Sequence, residues 1–372
     1  MSSLSEAIIH LAIDLFHQIR KSEKENIFLS PFSISSALAM TYLGARENTA
    51  SEMQKVLHFN KIAENTRGGA VEKPGNVHQH FQKLLTELKK STDAYELSVA
   101  NRLYGEKEFR FLQEYMDNVQ KFYLASVESA DFKNAAEESR KMINSWVESQ
   151  TNGKIKELFP KDSLDSSTVL VLVNAVYFKG QWNQKFKEEH TAEEKFWLNK
   201  DTSKPVRMMK QTNSFKFVSL EDVMMVLLPN EVDGLQELED QLTAEKLIAW
   251  TSPQNMGKKW TYTCLGLKWK SYDLVPTLQA LGMVDAFNDR VVFHKSFVEV
   301  TEEGTEAAAA TGVGVAVITS LPIRESFRCD HPFLFLIKHI KTNSILFCGR
   351  VSSLRCPWAA ATLGTFRDVP RA

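Results

Sequence analysis

The sequence predicts an α+β fold, and three features carry that expectation. Val169–Phe178, VLVLVNAVYF, is a nearly unbroken apolar run of the kind a strand buried on both faces requires. Segments such as Ala135–Gln150 repeat apolar residues at helical spacing. The two kinds of segment follow one another without the strict strand–helix alternation of a doubly wound sheet.

Taken in order, the chain starts with MSSLSEAIIHLAIDLFHQIRK, where Ile8, Leu11, Ile13 and Leu15 sit among polar residues and predict an amphipathic helix. It has no basic leader and does not read as a cleaved signal peptide. Asn26–Pro31 starts a helix-type segment, with Ser30 or Ser33 as cap, Pro31 in the first turn, and Ile34, Ala37, Leu38 and Leu43 at helical spacing. Asn60–Asn76 contains Gly68, Gly69, Pro74 and Gly75 and predicts an exposed loop. Val77–Leu88 predicts a helix and Leu97–Tyr104 a strand. Phe109–Tyr123 and Ala135–Gln150 predict helices, the second stopped at Asn152-Gly153. Beyond the central strand, Phe196, Phe215 and Phe217 mark further strands, and Met224–Leu228 is a short one stopped by Pro229. Leu238–Trp250 and Tyr272–Gly282 predict helices, and Val291–Val300 a strand. Phe333–Lys338 and Ser344–Val351 predict a hairpin around Lys341–Asn343.

Composition narrows the function. With 372 residues, 43% hydrophobic and 24% charged, the chain is ordinary for a globular protein. A net charge of −1 supplies no global field for nucleic acid or an acidic membrane surface. No apolar run is long enough to predict a transmembrane helix. The four cysteines, Cys264, Cys329, Cys348 and Cys356, show no Cys-x-x-Cys spacing, and no Asn-x-Ser/Thr acceptor occurs. These features predict a reducing, cytoplasmic setting. Enzyme motifs are missing: there is no Gly-x-Ser-x-Gly elbow, no Walker loop, and no third glycine after Gly312-Val313-Gly314 at dinucleotide spacing. His78-Gln79-His80 lacks a partner to complete a metal site and reads better as a solvated helix start. His294 and His331 read as satisfied core histidines. No catalytic residue, cofactor or metal is expected.

One stretch is unlike an ordinary loop. Val298–Val317, VEVTEEGTEAAAATGVGVAV, joins a strand pattern to a run of small residues without turn-forming pairs. Four consecutive alanines favour helix. Read with period two, however, Thr305, Ala307, Ala309, Thr311, Val313 and Val315 form a face without charge. A connection thus carries the pattern of a strand that can be buried.

The chain resembles a serpin along nearly its whole length. The resemblance rests on NIFLSPFSISSALAMTYLGARENTASEM (Asn26–Met53), INSWVESQTNGKIKELFP (Ile143–Pro160), VNAVYFKGQWNQKF (Val173–Phe186), HKSFVEVTEEGTEAAAAT (His294–Thr311), FRCDHPFLFLI (Phe327–Ile337) and ILFCGRV (Ile345–Val351), in the family's order. Within the family it looks like the intracellular, ovalbumin-like branch (clade B), near squamous cell carcinoma antigen and headpin. The resemblance implies three β-sheets, eight to nine helices and an exposed reactive-centre loop, in one domain over residues 1–353. The tail at 354–372 has no family resemblance.

It further implies a monomeric protease inhibitor that is not itself an enzyme. Its partner is a target protease held as a covalent acyl-enzyme, while the cleaved loop enters the main sheet. Small side chains suit that entry, because a buried charge is costly. The implied hinge is Glu303, Gly304, Thr305, Glu306, Ala307, Ala308, Ala309 and Ala310. Counted from Glu302, the implied reactive bond is Ile318–Thr319, with Ser320–Leu321 next. Thr305 to Ile318 would span about 46 Å as a strand, at about 3.3 Å per residue. Val317 before that bond suits papain-like cysteine proteases, and elastase-like or chymotrypsin-like serine proteases stay open. Ser30, Ser33, Asn174 and His294 match the polar cluster that governs sheet opening in the family, and Trp182 the tryptophan near the top of that sheet.

Three departures stand against the resemblance. Phe217–Val223 runs directly into Met224–Pro229, where serpins carry a further strand and turn. Ala286–Phe293 lacks a short helical segment. Lys258–Lys270 lacks a Leu-Pro-x-Phe-Lys pattern. The alternative expectation is therefore a non-inhibitory or degenerate serpin that acts as a binding protein.

Overall fold

A computed structural model describes residues 2–64, 75–90, 92, 95–180, 182, 185–213, 222–251, 260–264, 271–287, 290–299 and 325–353. The chain runs α1 (Ser3–Ser22), β1 (Ile27–Leu29), α2 (Pro31–Gly44), α3 (Glu47–Val56), α4 (Asn60–Glu64) and α5 (Gly75–Leu88). It continues through β2 (Tyr95–Glu106), α6 (Gln113–Tyr123), β3 (Ser126–Ala130), α7 (Phe132–Gln150), β4 (Leu170–Gly180), β5 (Ala192–Trp197), β6 (Ser203–Asn213) and β7 (Asp222–Leu227). The remaining elements are α8 (Leu235–Gln241), α9 (Ala244–Trp250), β8 (Trp260–Cys264), β9 (Ser271–Asp273), α10 (Val275–Ala280), β10 (Arg290–Glu299), β11 (Glu325–Arg328), β12 (Phe333–His339) and β13 (Ser344–Val351).

Three sheets result. The central one has the order β3-β2-β4-β10-β9, the second β1-β13-β12-β7, and the third β11-β8-β6-β5. The apolar run predicted around residue 173 is β4, and Val171 to Tyr177 are buried without exception. At the middle of the sheet β4 and β10 pair in parallel over ten residues, from Leu170 beside Arg290 to Lys179 beside Glu299. On either side of them, β2 and β9 pair antiparallel. The seam between β4 and β10 is therefore closed along its length.

Helix α2 is buried from Pro31 through Met40, its serines included; it packs against β4, β13 and α1. The second sheet seals the core through Phe28, whose ring stacks between Phe335 and Phe347 at 5.8 and 5.4 Å. Gly349 lets β1 approach this closely, since a Cβ there would lie 2.1 Å from the carbonyl oxygen of Ile27.

Several elements differ from expectation. The described residues hold ten α-helices, not eight or nine, partly because the predicted helix over 238–250 is two. Thr243 starts the second one: its side chain accepts the amide of Lys246 as an N-cap. The predicted helix over 272–282 begins as strand β9 because its backbone pairs with β10, and the helix starts only at Val275. Residues 27–29 are a strand, and the helix after them starts at Pro31. The expected loop over 60–76 opens with helix α4, whose Ile62 is buried. Helix α7 stops as predicted, with Asn152 and Gly153 both at positive φ.

Candidate functional site

The site is a polar cluster buried under the β4–β10 seam, and it starts from a helix cap. The Oγ of Ser30 accepts the amide of Ser33 at 3.4 Å, donates to the carbonyl of Leu346 on β13 at 2.7 Å, and so fixes the entry into α2. Pro31 follows at the first helical turn, where its missing N–H costs nothing.

Asn101, Asn174 and His294 form one row across β2, β4 and β10, because Asn101 pairs with Asn174 and Asn174 with His294. Cross-strand partners share a face, so all three side chains point at the start of α2. The Asn174 amide nitrogen donates to Ser33 Oγ at 2.6 Å, to the Ser33 carbonyl at 3.1 Å and to Asn101 Oδ1 at 2.5 Å. Its Oδ1 accepts from His294 Nδ1 at 2.5 Å. His294 Nε2 in turn accepts the backbone amide of Ser30 at 3.3 Å. The side chain of Asn101 closes the row by donating to Ser36 Oγ at 3.4 Å.

These contacts dictate the state of His294. An Nε2 that accepts an amide carries no hydrogen, so the proton sits on Nδ1 and the ring is neutral. A second proton would set two donors face to face. Burial alone pushes its pKa down to about 3. The Asn174–His294 hydrogen bond thus ties together, inside the protein, the two strands whose separation would open the sheet. Two residues along β10, the buried Ser296 hydroxyl has no hydrogen-bond partner among the described residues.

Of the residues singled out in the sequence, Ser30, Ser33, Asn174 and His294 meet in this cluster. Trp182 lies just past the end of β4 and meets Phe186 edge-on at 5.2 Å, outside the hydrogen-bonded row. Asn101 escaped the sequence reading; the available signal was a lone amide within the strand pattern 97–104. His78 is not a solvated residue. It is buried on α5, its Nδ1 lies 2.5 Å from the Tyr123 hydroxyl, and burial lowers its pKa to about 4. Among the described residues no cluster of His, Cys, Asp and Glu is arranged to hold a metal.

The hinge residues Glu303, Gly304, Thr305, Glu306, Ala307, Ala308, Ala309 and Ala310 lie outside the described residues, as do Val317, Ile318 and Thr319. Both ends of their connection are described. It leaves β10 at the end where Glu299 pairs with Lys179, and it re-enters at β11 in the third sheet. A chain turning back from Glu299 along the seam would run antiparallel to both β4 and β10.

Comparison with known proteins agrees with the three-sheet fold. The family model described as "Serpin (serine protease inhibitor)" matches residues 6–354. The chain is 56% identical to Serpin B4 and to Serpin B3 of Homo sapiens, and 49% identical to Serpin B13 of Homo sapiens, over 95% of this chain and all of each relative. The alignment to Serpin B4 runs over 393 positions, while 95% of 372 residues is about 353, so about 40 of its positions have no counterpart here. Among solved structures, uncleaved ovalbumin is 36% identical with a TM-score of 0.83, covering 95% of this chain and all of that one. A cleaved, loop-inserted ovalbumin mutant, with the same coverage, is 33% identical with a TM-score of 0.78.

Proposed function

The chain belongs to the serpin family, and on that premise we propose that it traps a protease as a suicide substrate. The protease's hydroxyl or thiol attacks the carbonyl of Ile318, the bond to Thr319 breaks, and the amine leaves with Thr319 while an ester or thioester joins Ile318 to the enzyme. Before water attacks that ester, the freed segment enters the seam. Serpin loop insertion is itself a known example of strand addition and of stored-strain release.

The observation that carries the reading is the closed parallel seam pinned by His294 and Asn174. Parallel pairing is slightly weaker per residue than antiparallel. An inserted strand replaces one parallel ladder with two antiparallel ones, so the closed sheet has a lower state to reach. The polar cluster supplies the barrier: strand separation breaks the Asn174–His294 hydrogen bond inside a dry core, where an unmade bond is expensive. Val317 favours a papain-like cysteine protease, followed by chymotrypsin-like or elastase-like serine proteases. The expected setting is the cytoplasm and the expected state a monomer.

A second reading, a non-inhibitory binding protein, has its own support. About 40 positions of the relative are without counterpart, and among the described residues the second sheet ends at β7. Mixing the protein with cathepsin L-like and chymotrypsin-like enzymes separates the two. A denaturant-stable complex supports trapping, and Thr305→Arg then turns the inhibitor into a substrate. If the loop is simply cut, or left alone by every enzyme, the second reading holds.

A further inference from the structure

Helix α7 lies across the face of the central sheet opposite the polar cluster. Its buried residues Phe132, Ile143 and Val147 pack with Ala100 and Tyr104 of β2 and with Val171, Val173 and Ala175 of β4. Residues 155–159, which follow it, are fastened to it by hydrogen bonds. Asn144 Oδ1 accepts the amides of Leu158 and Phe159 at 3.0 and 2.9 Å, and the Phe159 carbonyl accepts from Arg140 and Asn144. This body touches both sides of the seam. On the far side, Lys295 of β10 donates to the carbonyl of Glu157 at 2.7 Å. On the near side, the guanidinium of Arg102 on β2 lies 4.1 Å from the ring centroid of Trp146 on α7. Tyr104 completes that contact, edge-on to Trp146 at 6.3 Å, with its hydroxyl 3.4 Å from Arg102 Nη1.

Admitting a strand between β4 and β10 moves them apart by one strand spacing, about 4.8 Å. A rigid body fastened on both sides cannot keep both fastenings. The Lys295 contact is one hydrogen bond from a flexible stem. The Arg102 contact is a stacked cation–π pair, the stronger kind when shielded from water. Arg102 is also committed to it: among the described residues its buried Nε has no hydrogen-bond partner and no carboxylate forms an ion pair with it.

We propose that Arg102 is a positioning residue for loop insertion: stacked on Trp146, it holds α7 to β2, so that the body parts from β10 when the seam opens and remains a brake on entry. This rests on the trapping reading above and adds a named residue to it.

The test needs no target protease. A synthetic peptide copying residues 305–316 is annealed into the full-length protein, and the rate is followed by native electrophoresis. Arg102→Leu and Trp146→Leu should each speed annealing about five- to tenfold, the factor expected from losing a partly buried cation–π contact. The double variant should be no faster than either single one, and Arg102→Lys should restore most of the wild-type rate. Val119→Ala on α6, a buried truncation remote from the seam, controls for general destabilisation. Should a leucine variant not fold, Arg102→Lys and Trp146→Phe carry the comparison with smaller, graded increases. Equal rates in wild type and variants, with only a lowered melting temperature, overturn the role of Arg102 and leave trapping intact. A wild type that takes up no peptide overturns trapping and this inference with it.

Discussion

Acidification should loosen this protein through His294 more than through any exposed histidine. The ring is fully buried, both its nitrogens are engaged in the neutral form, and burial lowers its pKa to about 3. In the unfolded chain the same ring titrates near 6.5. The sign follows from linkage. Below pH 6.5 the unfolded state takes up a proton that the folded state refuses, so stability is full above 6.5 and falls steadily down to about pH 3. At pH 5 the gap is about 1.5 pH units, and at about 1.4 kcal/mol per unit the loss is about 2 kcal/mol. The assay is urea unfolding at pH 7.5 and 5.0 on wild type and His294→Gln, reading the first transition. Glutamine cannot titrate, so the loss between the two pH values should be about 2 kcal/mol smaller in the variant, whatever its baseline. Carboxylates and His78 contribute alike to both proteins and cancel. Equal losses in the two proteins would refute the reasoning, because they would mean that His294 accepts a proton in the folded state.

Three further outcomes follow from the packing. Gly349→Ala places a methyl against the carbonyl oxygen of Ile27 and the ring of Phe335, so β1 must detach; soluble yield should collapse, and a normally folded variant would contradict the register of the second sheet. Glu239→Gln leaves the buried Arg350 guanidinium without its carboxylate. Breaking one side of such a pair costs about 3–5 kcal/mol, measurable by urea unfolding, and an unchanged midpoint would count against the pair. Asn101→Ala removes one acceptor of the Asn174 amide and should cost about 1–3 kcal/mol in the same experiment; no loss would show that the row across the three strands is not coupled.

How much could be read in advance depended on how local the cause was. The Val169–Phe178 run predicts a strand on its own, since only a strand covered on both faces tolerates so many apolar residues in succession. Ser30 before Pro31 is a cap signal within four residues. By contrast, Tyr272 and Asp273 look like the start of a helix in isolation and belong to β9 because β10 offers its edge. The break between α8 and α9 rests on one cap, Thr243, inside an uninterrupted apolar rhythm. Asn101 acquires meaning only through register, which no single strand encodes. Arg102 and Trp146 are 44 positions apart in sequence, and their spacing holds no hint of contact. The family resemblance implies a hinge and a reactive bond within a stretch that chemistry alone left as unusually rich in small residues.

The central claim is that the closed seam accepts the loop. The direct measurement is the thermal unfolding temperature before and after a non-target protease nicks the chain between Gly312 and Leu321. If the freed segment enters between β4 and β10, the melting temperature should rise far beyond the roughly 2–4 °C that 1 kcal/mol brings in a large domain, and the intact protein should show the lower value. A nicked protein that melts at the temperature of the intact one, or below it, would contradict the claim.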